Sequence, residues 1–135
     1  MLVLAVGASV SAQLLKVVTH LVSTGHLDWS RAWGAGGLPS SHSAMVTALA
    51  TALGYQHGFD SGLFAIAAVF ALIVLYDAMG IRHAVGQQGQ FLNRLQEEGA
   101  VLPRRPERLP ELVGHTFWEV LVGVLWGIAV VALFY

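Results

Sequence analysis

Four stretches of this chain, residues 1–15, 32–59, 61–76 and 120–135, contain no Asp, Glu, Lys or Arg, while nine of its fifteen charged residues fall between Arg82 and Glu111. Charge-free apolar stretches must be buried in a core or in a bilayer, and a chain of 135 residues has only a small core to offer. Charged residues make up 11% of the chain and hydrophobic ones 56%, with mean hydropathy +0.65. An ordinary soluble domain is about 25% charged, so too few polar groups exist here to wet a closed surface. The blocks predict membrane helices. A bilayer core about 30 Å thick requires about 20 apolar residues per helical crossing, and the length admits four.

The expected architecture is an all-α integral membrane bundle forming one transmembrane domain over residues 1–135, with spans at about 2–22, 41–56, 61–80 and 115–135. Met1 is followed by no Lys or Arg and the uninterrupted apolar stretch is short, which favours a retained first span over a signal peptide. The second span, rich in Ala, follows Gly36-Gly37-Leu38-Pro39 with Ser40 or Ser41 as its cap, and is the least apolar of the four. Asp60 and Ser61 mark the start of the third. Residues 81–114 form a polar loop in which Gln87 to Glu98 makes a short surface helix, with Phe91, Leu92 and Leu95 on its apolar side. Pro103, Pro106 and Pro110 keep the rest of that loop from continuous helix, and Arg104, Arg105 and Arg108 are either solvated or in contact with anionic head groups.

Six of the seven basic residues, Arg31, Arg82, Arg94, Arg104, Arg105 and Arg108, lie in the loops before spans two and four, on one side of the membrane. The excess of basic residues on cytoplasmic loops then puts both loops inside and both termini outside. A net charge of -1 without a basic cluster excludes nucleic acid as a partner. The absence of Cys excludes disulfides, thiolate zinc sites and a cysteine nucleophile.

Ionisable residues at membrane depth are costly and usually face a bundle interior. Lys16 falls late in span one, His42 early in span two, Asp77 and Arg82 at the end of span three, and His115 and Glu119 at the start of span four, so all six map to one membrane face. Gln13, Lys16 and His20 share a helical face. The His115–Glu119 spacing lets the carboxylate hold one ring nitrogen and leave the other more basic; a helix end whose dipole Glu119 offsets is the competing reading. Gly36 to Ser43 sets a tight loop against a helix start, where backbone amides make an anion site and His42 is placed to protonate a leaving oxygen. Lys16 and Arg82 fit clamping of phosphate oxygens, or neutralisation by Asp77 and Glu119. Asp77 is a residue that holds Arg82 or His83, or a metal ligand. A metal set of His42, His115, Asp77 and Glu119 lacks diagnostic spacing, and neither metal nor cofactor is expected. His20, His26 and His57 read as structural or exposed.

Gly37-Leu38-Pro39-Ser40-Ser41-His42-Ser43-Ala44, Tyr76-Asp77-Ala78-Met79-Gly80-Ile81-Arg82-His83-Ala84 and Gly114-His115 to Glu119-Val120 resemble the divergent type-2 phosphatidic acid phosphatase family, related to acid phosphatases and vanadium-dependent haloperoxidases. The resemblance covers essentially the whole chain. It implies phosphomonoester or diphosphate hydrolysis on a lipid, with His42 as general acid, Ser40 and Ser41 at the phosphate, His115 as the nucleophile that becomes a phosphohistidine, Glu119 as its orienting partner and Lys16 as the first lysine of the superfamily. Ser41 replaces the Gly of the superfamily's Pro-Ser-Gly-His, and Glu119 the Asp of its last motif. No Arg-Pro follows Lys16, and Leu109 stands where an Arg precedes the last His by six residues; Arg108 is one position off, and Arg82 is taken as the replacement cation. Four spans with a cytoplasmic pocket also differ from the six spans and outer-leaflet action common in that superfamily.

The expected function is a metal-independent membrane phosphatase acting on a phosphorylated lipid. The incomplete arginine motifs favour an alternative, a non-catalytic binder or transporter of such a lipid, and a purely structural bundle leaves the convergent ionisable residues unexplained. Fifteen Gly and abundant Ala suit close helix packing and a homodimer that completes the bundle.

Overall fold

The computed structural model describes residues 1–29, 37–98, 109 and 114–135, with the Arg82 side chain outside the description. The described residues form five helices and no strand: α1 (Leu2–Thr24), α2 (Ser41–His57), α3 (Gly62–Met79), α4 (Ile81–Glu97) and α5 (Phe117–Ala132). Each boundary has a local cause. Helix α1 stops at Gly25, whose φ of 73° suits a residue without Cβ, with its N–H donating to the Leu21 carbonyl at 2.8 Å. Ser40 and Ser61 cap α2 and α3 by accepting from the amides of Ser43 and Phe64. Thr116 and Glu119 close a reciprocal capping box at the start of α5.

Helix α2 is the hub, packing against α1, α3 and α5. That position explains why it is the least apolar of the four: its neighbours are helices more than lipid, and small side chains serve there better than large apolar ones. The fully buried core is Ala8, Ala12, Ala44, Ala48, Ala52 and Val131, joined by Trp126 and Leu4 at its margin. Large apolar residues point the other way, among them Val3, Val10 and Leu14 on α1, Ile66, Phe70 and Ile73 on α3, and Leu125 on α5. A small-residue interior inside an apolar exterior inverts the soluble pattern and is the arrangement expected of helices that associate in lipid. Two helical stretches, Leu2–Thr24 and Gly62–Glu97, are long and apolar enough to cross a bilayer, and Phe117–Ala132 is a shorter apolar helix.

Helix α5 approaches α2 most closely. A Cβ added to Gly127 falls 2.5 Å from the Ala44 carbonyl oxygen, and one added to Gly123 falls 2.5 Å from that of Ser40. The two glycines, one turn apart between Val120 and Val131 on the buried stripe of α5, let backbone meet backbone. Trp126 adds a cross-bundle bond, its indole N–H donating to Ser11 Oγ at 2.9 Å.

The structure corrects two expectations. Residues 81–114 do not begin as a loop: helix starts at Ile81, six residues before the expected surface helix at Gln87, and only Gly80, with φ -96° and ψ -85°, separates it from α3. Helix α5 starts at Phe117, so His115 precedes the capping residue and is not itself helical. On α4, Phe91 and Leu92 are exposed and Leu95 is half-buried.

Replacing Gly127 by Ala should destabilise the protein by about 1–3 kcal/mol, the usual cost of overpacking, because the group met is backbone that cannot rotate away. Gly7, with nothing within 4 Å of an added Cβ, should accept Ala with no loss or a gain of up to about 1 kcal/mol from helix propensity. Thermal unfolding of both variants in detergent, followed by circular dichroism, tests the contrast.

Candidate functional site

Three chain segments meet where α5 begins. His115 is pinned to the end of α3 by its N–H, which donates to the Ala78 carbonyl at 3.0 Å. Its ring reaches across the cap so that Nδ1 lies 3.2 Å from Glu119 Oε2, and the same oxygen accepts the Thr116 amide at 2.9 Å. Glu119 therefore caps the helix and holds the histidine ring with a single atom. A carboxylate only accepts, so Nδ1 carries the proton in this pairing and Nε2 holds the lone pair. His115 is 6% exposed.

The start of α2 is fastened to the same place. The Ser40 amide donates to the Glu119 carbonyl at 3.0 Å, while Thr19 Oγ1 on α1 donates to the Leu38 carbonyl at 2.7 Å. The Leu38–Pro39 peptide is cis. Gly37, at φ 88°, runs along the aliphatic stem of Lys16. Ser40 and Ser43 are completely buried, with Ser43 Oγ donating to Ser40 Oγ at 2.9 Å. Ser41 is buried and His42, in the first turn of α2, is exposed.

Lys16 is buried at 4% exposure, and Lys16, His42 and Glu119 all lie near enough to His115 to influence it electrostatically. Eight residues of α1 follow it, roughly 12 Å of helix, so the cluster is recessed below the end of α1. Aromatic pairs stand at the two ends of the bundle: Phe117 and Trp118 in edge contact beside the cluster, and Tyr55, Phe59, Phe64 and Tyr135 at the far end. Aromatic residues favour the membrane–water boundary, and one such pair stands beside the cluster.

Chemically, the arrangement offers two helix N-termini, a buried cation and an imidazole with a defined tautomer. The first amides of α2 and α5 have no partner inside their helices, and their dipoles are positive at this end. Asp77 is half-buried next to Ala78, the residue that holds His115. His83 stands apart: it is exposed, and its ring nitrogen lies 3.3 Å from Gln87 one turn along α4. The Arg82 side chain and residues Arg31, Arg104, Arg105 and Arg108 lie outside the described residues. Among the described residues no group of three or more His, Asp or Glu converges as a metal site. His26 and His57 are exposed and His20 is half-buried.

Five residues that build the site escaped sequence reasoning. Thr19 and Ser43 carry no distinctive spacing. Thr116, by contrast, begins a Thr-x-x-Glu capping signature, and Gly123 and Gly127 form a Gly-x3-Gly pair, both legible in the sequence.

Residues 1–130 match the model of the divergent PAP2 family. A Bacillus subtilis (strain 168) protein described as "uncharacterized membrane protein YuiD" is 41% identical over 133 residues, a match spanning 90% of this chain and 84% of the relative. No solved structure matches.

Glu119→Ala should remove the cap and cost about 0.5–2 kcal/mol, whereas Glu119→Gln keeps an acceptor for the Thr116 amide and should stay within a few tenths of that of the native chain. Thermal unfolding in detergent distinguishes the two, and equal losses in both would mean that the charge, not the cap, is what stabilises this end.

Proposed function

From the membership of this chain in the divergent PAP2 family of membrane proteins, we propose that it is a membrane phosphatase acting on a lipid phosphate or diphosphate, with His115 as nucleophile. The single observation that carries this reading is the buried His115 ring, with Nδ1 held by Glu119 and Nε2 left for a reacting phosphorus beside the N-terminus of α2. In the proposed reaction Nε2 attacks phosphorus, a P–N bond forms, and the P–O bond to the lipid breaks. His42 gives its proton to the departing oxygen. Water then attacks the phosphohistidine, giving its proton back to His42, and inorganic phosphate leaves. Lys16 and the first amides of α2, around Ser40 and Ser41, stabilise charge on the phosphoryl oxygens. Arg82 is the second cation of this proposal, and Asp77 its neighbour at the end of α3. Each role is a mechanistic assignment that mutagenesis can reject.

The chain in this reading crosses the membrane four times, through α1, α2, α3 and α5, with both termini outside and the site on the cytoplasmic side. The recessed position at head-group level suits a substrate whose phosphate lies at the surface while its acyl chains stay in the bilayer. The replacement of the superfamily Arg by Leu109 supports a second reading, in which the pocket binds or moves a phosphorylated lipid without hydrolysing it.

Detergent-purified protein should release inorganic phosphate from phosphatidic acid, phosphatidylglycerophosphate or polyprenyl diphosphate, with or without EDTA, and His115→Ala should lower that rate by about 10³-fold or more, as for other nucleophile deletions. His42→Ala should slow release while leaving an acid-labile phosphoprotein. Saturable lipid binding without phosphate release from the native chain would transfer the assignment to the second reading. A reporter fused after Tyr135 should be active only outside the cytoplasm.

A further inference from the structure

Helix α4 presents its faces the wrong way round for a helix in water. Its buried positions are Gly86, Gly89 and Asn93, all small or polar. The Asn93 side chain clamps the backbone of Leu109, donating to its carbonyl at 2.9 Å and accepting its N–H at 3.0 Å. Its apolar residues point outward instead: Ile81, Val85, Phe91 and Leu92 are all exposed, Phe91 by 63%. On a helix these positions fall within one arc of the circumference, with Ala84 among them. A shallow groove lined by Ala84, Gln87, Gln88, Phe91 and Leu92 runs along that side.

Among the described helices α4 touches α3 alone, so no other described helix covers this face. Helix α3 spans 18 residues, roughly 27 Å, and its outward side carries Ile66, Val69, Phe70 and Ile73, which line a second apolar groove. Along the chain the apolar face of α4 follows that of α3 past Tyr76, at the end of the bundle where Ala78 holds His115. Gly80 leaves helical torsions at this point, which frees α4 to take a direction of its own. The polar side chains Gln87, Gln90 and Arg94 make a complete crossing by α4 unfavourable.

We propose that α4 is an in-plane membrane helix, whose Ile81, Val85, Phe91 and Leu92 face is embedded at the head-group–acyl boundary of the leaflet that the candidate site faces. The partner is the lipid surface itself, and helices of this pattern bind in that plane through buried apolar area. The proposal rests on the bundle being in a membrane and on no catalytic activity. One consequence bears on the site: α4 follows directly from the α3 end that holds His115 through Ala78, so lipid engagement by α4 and the position of His115 share one anchor.

The chain has no Cys, so single-cysteine variants can be spin-labelled without altering the background. Val85→Cys, Phe91→Cys, Leu92→Cys and, on the polar side, Gln90→Cys would be labelled and reconstituted into vesicles of phosphatidylcholine and phosphatidylglycerol. Labels at 85, 91 and 92 should collide with oxygen several-fold more often than with a water-soluble nickel chelate, and the label at 90 should reverse that preference. Nickel preference at 91 and 92 would overturn the proposal by showing that α4 projects into water. Low access to both reagents with an immobilised spectrum would overturn it in favour of a protein cover, and spin–spin broadening would identify that cover as a second copy. None of these readings depends on phosphate release, so failure here is separable from failure of the phosphatase reading.

Discussion

The approach of α5 to the first two turns of α2 is the constraint on which the rest of the arrangement depends. Gly123 and Gly127 bring the α5 backbone against the carbonyls of Ser40 and Ala44, closer than any side chain would allow. At that separation the Ser40 amide reaches the Glu119 carbonyl, and two helix N-termini open toward the same space. Lipid offers no hydrophobic drive for helices to associate, so packing of this closeness is what holds such a bundle together. The same contact therefore builds the fold and the electropositive corner in which His115 sits.

That corner is economical in its use of polar atoms. Glu119 Oε2 accepts from both the Thr116 amide and the His115 ring, and Glu119 carries the charge opposite to that of Lys16. A lone ammonium at this depth would be costly; one with a carboxylate and two helix dipoles around it is offset by the carboxylate and opposed by the dipoles. Since the dipoles repel Lys16, their presence serves the structure poorly and an anion well. Gln13, one turn before Lys16, has a buried Oε1 without a hydrogen-bond partner among the described residues.

The apolar helices could be read from sequence because the quantity that decides them, the absence of charge over a long stretch, is local. The hub position of α2 could be inferred only indirectly: its Ala-rich composition made it the least apolar span, and that deficit is what burial among helices permits. The start of α4 escaped because period and polarity change at Gly80 without a stop signal, and Ile81 and Val85 read as scattered apolar residues until a helix aligns them with Leu92. At the candidate site, the parity of the spans was enough to bring Lys16, His42, His115 and Glu119 to one end. What parity does not contain is the tie between Thr19 and the Leu38 carbonyl or the hydroxyl pair of Ser40 and Ser43, since neither follows a period. Placing His83 beside Asp77 relied on nearness in sequence, whereas the helix turns its ring toward Gln87.

The departures from the superfamily's arginine motifs concern charge, and charge can be weighed. Lys16 and Glu119 carry opposite charges, so in the phosphatase proposal a phosphate dianion draws on Lys16, on the helix ends and on any further cation. Helix termini act over the first turn only and supply about half a charge each, less than a transferring phosphoryl group develops. Leu109 contributes no charge, and its backbone is committed to Asn93. In the phosphatase proposal that further cation is Arg82, in the first turn of the helix that follows the Ala78 anchor of His115.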